Sequence, residues 1–141
     1  MLLIAVGLSA ASVFAQSDLQ ISKAFEQYGN KKGSVYVELT NEALGNYDFS
    51  LFKSLTISNN VQAAELIRHC LAKDEAGARK VKQVVVSGVP TSIYLQLPKK
   101  GQLYRLILFN ETRKGEQKVT LIYIESETDS EDILKFILKK K

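Results

Sequence analysis

The chain has 141 residues, 45% of them hydrophobic and 24% charged, with a formal net charge of +4, a single cysteine and a single histidine. That usage is ordinary for one globular domain. It excludes an intrachain disulfide, and it leaves too few cysteine and histidine ligands for a structural zinc site.

Met1 to Ala15 carry no charge, and Leu2 to Val13 is almost entirely apolar. The stretch ends Val13-Phe14-Ala15, with small residues at the last and third-last positions, and polar Gln16-Ser17-Asp18 follow. This is the pattern of a secretory signal peptide cleaved after Ala15, leaving 16–141 as a single domain. The run is too short for a membrane-spanning helix, which needs ~20 residues. The basic residues that usually precede such a run are missing, which points to a start codon lying further upstream. Bacterial lipoproteins carry a cysteine directly after the cut, and here that residue is Gln16. The expectation is a soluble periplasmic or secreted protein without stable membrane insertion. Mild basicity and export together make nucleic acid a poor partner.

Beyond the leader, Ile21, Ala24, Phe25 and Tyr28 share one face of a helix that Asp18 can cap and Gly29 can stop. Val35, Val37 and Leu39 alternate with Tyr36, Glu38 and Thr40, the pattern of a half-buried strand with the tyrosine on the side away from the valines. Asn41 to Ser50 fits a short helix or a loop, and Leu55-Thr56-Ile57 a short strand. Asn60 caps a helix whose apolar face carries Ala63, Leu66, Ile67, Cys70 and Leu71.

Val81 to Val86 fits two readings: its three consecutive valines favour a strand through their stiff branched side chains, while Ala78, Val81 and Val85 also suit a helix, and strand is the preferred one. Strands follow at Ser92 to Leu97, Leu103 to Asn110 and Lys118 to Ser126, with turns at Pro98 to Gln102 and Glu111 to Gln117. Leu106 to Phe109 and Leu121 to Ile124 are apolar on both faces, which marks central strands covered on both sides. Thr128 and Glu131 form a capping box ahead of a helix with the stripe Ile133, Leu134, Ile137 and Leu138. The expected architecture is an α+β single domain. Its mostly antiparallel sheet ends in a three-strand meander and is packed by about three helices.

Catalytic constellations are hard to assemble from these residues. His69 and Cys70 are adjacent, so on a helix their side chains diverge rather than face each other. Cys70 falls on the apolar side and His69 on the polar side. Asp129, Glu131 and Asp132 sit at a helix start, where carboxylates are favourable without a metal. Ser50-Leu-Phe-Lys53 matches a serine–x–x–lysine pattern but lacks its companion motifs. No catalytic residue, metal ligand or cofactor is assigned.

Basic turns recur at Lys31-Lys32-Gly33, Lys99-Lys100-Gly101 and Arg113-Lys114-Gly115. Successive turns of a meander lie at opposite ends of the sheet, so the second and third cannot share a patch. The candidate binding residues are Tyr36, Tyr94 and Gln96, polar or aromatic side chains on strand faces opposite the aliphatic ones, where aromatics serve sugar stacking and partner contacts.

Phe25-x-x-Tyr28-x-x-Lys31-x-Gly33 leading into Val35-Tyr-Val37, then Phe52-Lys-Ser-Leu55, the meander and Asp129-Ser-Glu-Asp132-Ile-Leu-Lys135 together resemble the small exported domain-of-unknown-function proteins common in Bacteroidetes. The resemblance covers nearly the whole mature chain. It implies an α+β domain in the periplasm or outside the cell, carries over no catalytic residue, and places such proteins in envelope maintenance or near signalling systems.

The leading expectation is a non-catalytic exported binding module whose partner is an envelope protein or glycan. Two alternatives stand beside it. One is a small envelope hydrolase in which Glu38 and Glu125 face one another, since glycosidase-type chemistry needs paired acids about 5–9.5 Å apart. The other is a subunit or inhibitor of an envelope complex, which a large exposed apolar patch would support.

Overall fold

The computed structural model of the chain describes residues 19–40 and 49–127. Helix α1 (Ser22–Tyr28) is followed by the hairpin β1 (Ser34–Thr40) and β2 (Phe49–Ser58), then by helix α2 (Val61–Asp74), whose end tightens into a 3-10 turn at Glu75–Gly77. Strands β3 (Lys80–Val86), β4 (Val89–Lys100), β5 (Leu103–Thr112) and β6 (Lys118–Ser126) complete it. The six strands form one sheet in the order β1-β2-β6-β5-β4-β3, with every neighbouring pair antiparallel. The last strand inserts beside β2, so β6 and β5 stand at the centre, where their two-sided apolar sequences need cover.

Local chemistry accounts for the elements. Asn60 has extended backbone and its side chain accepts from Ala63 N at 2.9 Å, closing the start of α2. Gly29 ends α1, its N–H bonding Phe25 O. The β3–β4 hairpin turns on Ser87 and Gly88, both at positive φ (52° and 81°), the backbone of a two-residue turn whose twist matches its strands.

The helices pack on one face of the sheet. Ile21, Ala24 and Phe25 of the first helical segment and Ala63, Ile67 and Leu71 of α2 are buried against Leu55, Leu95, Ile107 and Leu121. The antiparallel register lays this face out in rows that cross the strands. One runs Tyr36, Leu55, Leu121, Phe109, Ile93; the next runs Glu38, Lys53, Tyr123, Ile107, Leu95.

Several expectations need correction. The meander has four strands, because β3 pairs with β4 along its whole length. Strand β2 is ten residues long, since pairing with both β1 and β6 extends it well beyond Leu55-Thr56-Ile57. The faces of β1 are also reversed: Tyr36 turns towards the helices and meets the Phe25 ring edge-on at 5.9 Å, while Val35 is 62% exposed on the other side. An edge strand has one neighbour, and here the aromatic partner on α1 outweighs the aliphatic preference. Two helices are described. The third expected helix, Asp18 as a cap, and Asn41 to Asp48 of the ambiguous stretch lie outside the described residues. Among the described residues the α1 start is held by Asp74 of α2, which accepts from Gln20 N at 2.6 Å and Ile21 N at 3.0 Å. Among the described residues, no helix is long and apolar enough to cross a membrane.

Candidate functional site

The second face of the sheet carries the three alternate rows. The first is Val35, Thr56, Thr120, Asn110, Ser92, Val84; the second is Val37, Ser54, Ile122, Leu108, Tyr94, Lys82; the third is Leu39, Phe52, Ile124, Leu106, Gln96, Lys80. A polar row therefore borders an apolar one. Leu106 and Ile124 are fully buried and Tyr94 nearly so, while Leu108, Ile122, Phe52 and Leu39 are half-buried around them.

Over the β3–β6 half of this face lies a cleft of about 420 Å³. Tyr94, Leu108 and Ile122 supply its apolar lining, with Ser92, Asn110 and Thr120 along one side. Ser92 Oγ donates to Asn110 Oδ1 at 2.8 Å, so this polar edge is locked by a cross-strand bond. On the β3 side Lys82 lines the same cleft, its Nζ 6.0 Å from the Tyr94 ring centroid. The volume suits a small ligand, and the lining has the usual composition of such sites, mostly apolar with a few placed polar groups. No carboxylate is among its described lining residues.

The sequence candidates separate. Tyr94 is 6% exposed and belongs to the cleft; Gln96 is its neighbour two residues along the same face, half-buried between Lys80 and Leu106. Tyr36 lies on the opposite face, its hydroxyl donating to Glu38 Oε1 at 2.6 Å. The three do not form one surface. Lys82, Leu108, Asn110 and Ile122 were missed as site residues, although the doubled apolar pattern of β5 and β6 already indicated an apolar second face.

Glu38 and Glu125 do share the helix-covered face, two strands apart, with Lys53 on the strand between them. Tyr123 donates its hydroxyl to Glu125 Oε2 at 2.7 Å and accepts from Arg105 Nε at 2.8 Å. Lys53 is 3% exposed and its Nζ lies 5.4 Å from the Phe25 ring. Burial lowers the Lys53 pKa, while Glu38, Glu125 and Glu26 oppose that shift. Burial, reinforced by Glu125, drives the Tyr123 phenol well above its ordinary range. The two carboxylates are thus occupied by tyrosine hydroxyls and by the field of a lysine.

A second polar cluster centres on Glu111, whose carboxylate is fully buried. It pairs with Arg68, accepts from Gln117 Nε2 at 2.8 Å and lies 3.3 Å from Arg113 Nε. Arg68 also donates to Pro90 O at 2.9 Å, tying α2 to β4. His69 is exposed and Cys70 buried, as their helical positions require. Burial, reinforced by Asp74, raises the thiol pKa. Among the described residues no group of three or more histidine, cysteine, aspartate or glutamate side chains could hold a metal ion.

Comparisons with known proteins add one assignment. No curated protein and no solved structure matches the chain. A family model does match, over residues 8–137. The chain belongs to the family of unknown function DUF6108.

Proposed function

We propose that this protein is a non-catalytic binding module, exported through its apolar N-terminal segment, and that its ligand site is the cleft over Tyr94. The observation that carries this reading is the cleft itself: an apolar floor of Tyr94, Leu108 and Ile122 with the Lys82 ammonium beside it. That arrangement suits a small amphipathic anion, an aliphatic or aromatic body on the floor and an acidic group towards Lys82. The Lys82 ammonium lies over the face of the Tyr94 ring, where the ring quadrupole attracts a cation. Export, a periplasmic or secreted location and a helix after Thr128 are parts of the same proposal, supported by the sequence patterns at the two ends. The likeness to Bacteroidetes proteins supports an envelope setting.

Titration of the purified chain with dodecanoate, followed by amide and methyl NMR shifts, tests the site. Saturable shifts at Leu108 and Ile122 are expected, abolished by Leu108→Arg. Lys82→Ala should weaken dodecanoate while leaving neutral dodecanol unchanged. Absence of saturable shifts on this face, or equal weakening of both probes, would overturn the reading.

A further inference from the structure

Two strands close the sheet, and they differ. All seven residues of β3 are exposed, with Val81 40%, Val84 57%, Val85 53% and Val86 56% accessible. On β1 Val35, Val37, Glu38 and Thr40 are exposed, but Ser34, Tyr36 and Leu39 are half-buried and Tyr36 meets the Phe25 ring. An edge strand offers unpaired N–H and C=O groups to any second strand. Lysines commonly guard such edges, and Lys80 and Lys82 occupy the first half of β3. The second half is all valine.

We propose that β3 pairs antiparallel with β3 of a second copy of this chain, about a two-fold axis through Gln83. In that register Lys80 meets Val86 of the other copy, Lys82 meets Val84, and Val81 meets Val85. No lysine faces a lysine. Each lysine stem lies along a valine on the second face. On the helix side, branched residues pair directly, the favourable cross-strand combination. The strand is self-complementary, which an isologous two-fold contact requires. A pairing through one short strand is smaller than a standard stable interface, so the dimer is reversible and concentration-dependent.

The two-fold axis stands perpendicular to the sheet, so both second faces point the same way. Lys82 and Val84 line the cleft, which brings the two clefts side by side across the seam. The dimer does not rest on the ligand reading, because Val81 and Val85 lie outside the cleft lining.

Sedimentation velocity over a concentration series of the full chain tests it, with circular dichroism confirming the fold of each variant. A reversible dimer is expected for the natural chain. V81K/V85K places like charges opposite each other twice and should leave only monomer; V81E/V85K places opposite charges there and should restore the dimer. Val37→Lys on β1 should change nothing. As a measurement independent of those variants, Gln83→Cys in a Cys70→Ser background should yield a disulfide-linked dimer on mild oxidation. Monomer at the highest soluble concentration, a dimer that survives V81K/V85K, no rescue by the charge swap, loss of the dimer in Val37→Lys, or no cross-link would each overturn the proposal.

Discussion

The two faces of this sheet are built from the same strands, yet they hold different kinds of interior. The helix-covered face combines a large apolar cluster with buried charge: Lys53, Arg105, Glu111 and Glu125 are all nearly inaccessible. The second face has a small apolar nucleus of Tyr94, Leu106 and Ile124, half-buried neighbours and an open cleft. Charge survives burial on the first face because each of the two carboxylates has partners in hand. Glu111 has two arginines and a glutamine, and Glu125 has a tyrosine hydroxyl that is itself held by Arg105. The second face carries its polarity at the cleft edge, in neutral hydroxyl and amide groups and in the exposed Lys82. The comparison teaches that the first face is specified by packing and pairing, whereas the second, among the described residues, keeps a cleft beside a small apolar nucleus.

The largest effect that would break the first face is loss of the Glu111 carboxylate. Glu111→Ala leaves Arg68 without its buried counter-charge and should destabilise the fold by about 3–5 kcal/mol in urea denaturation. Next, Leu121→Ala and Leu106→Ala remove equally inaccessible leucines from opposite faces. Each should cost about 2–5 kcal/mol, and Leu108→Ala at the cleft only about 1 kcal/mol. A Leu106→Ala cost as small as that of Leu108→Ala would mean that the second face is surface rather than core.

An alkaline titration sharpens the contrast further. In the unfolded chain the Tyr36 and Tyr123 phenols ionise near their ordinary value of 10.0, whereas in the fold both pKa values are raised. The folded state therefore keeps protons that the unfolded state releases. Their contribution is intact below pH 10.0 and is lost as pH rises above it. Tyr123→Phe should make the decline in stability above that pH measurably shallower in denaturant midpoints. The smallest effect belongs to the β3–β4 turn, where Ser87 holds a positive φ of 52°. Ser87→Asn suits that backbone better and should stabilise by a few tenths of a kcal/mol, roughly, read as a small rise in Tm.

Much of the fold was legible residue by residue. The periodicity of Ile21, Ala24, Phe25 and Tyr28, the Asn60 cap and the doubled apolar pattern of β5 and β6 each specify a local geometry through near neighbours. The site was legible only in part. Tyr94 was singled out as an aromatic on the side away from Ile93 and Leu95, and it does stand in the cleft. Its companions Lys82, Asn110 and Ile122 come from three other strands, and nothing in the sequence says which residues become cross-strand neighbours. Tyr36 shows the opposite failure: alternation alone put the valines inside, whereas contact with Phe25 decided the face.

By itself, then, the sequence determined the periods, caps and turns, because those depend on interactions within a few residues. It also separated Cys70 from His69, since helical spacing alone turns them apart. Only the tertiary structure decided that β6 inserts beside β2, that Lys53 stands between Glu38 and Glu125, and that four strands converge on one cleft. Register and strand order arise from contacts between residues distant along the chain, and those contacts also decide which face of an edge strand is buried.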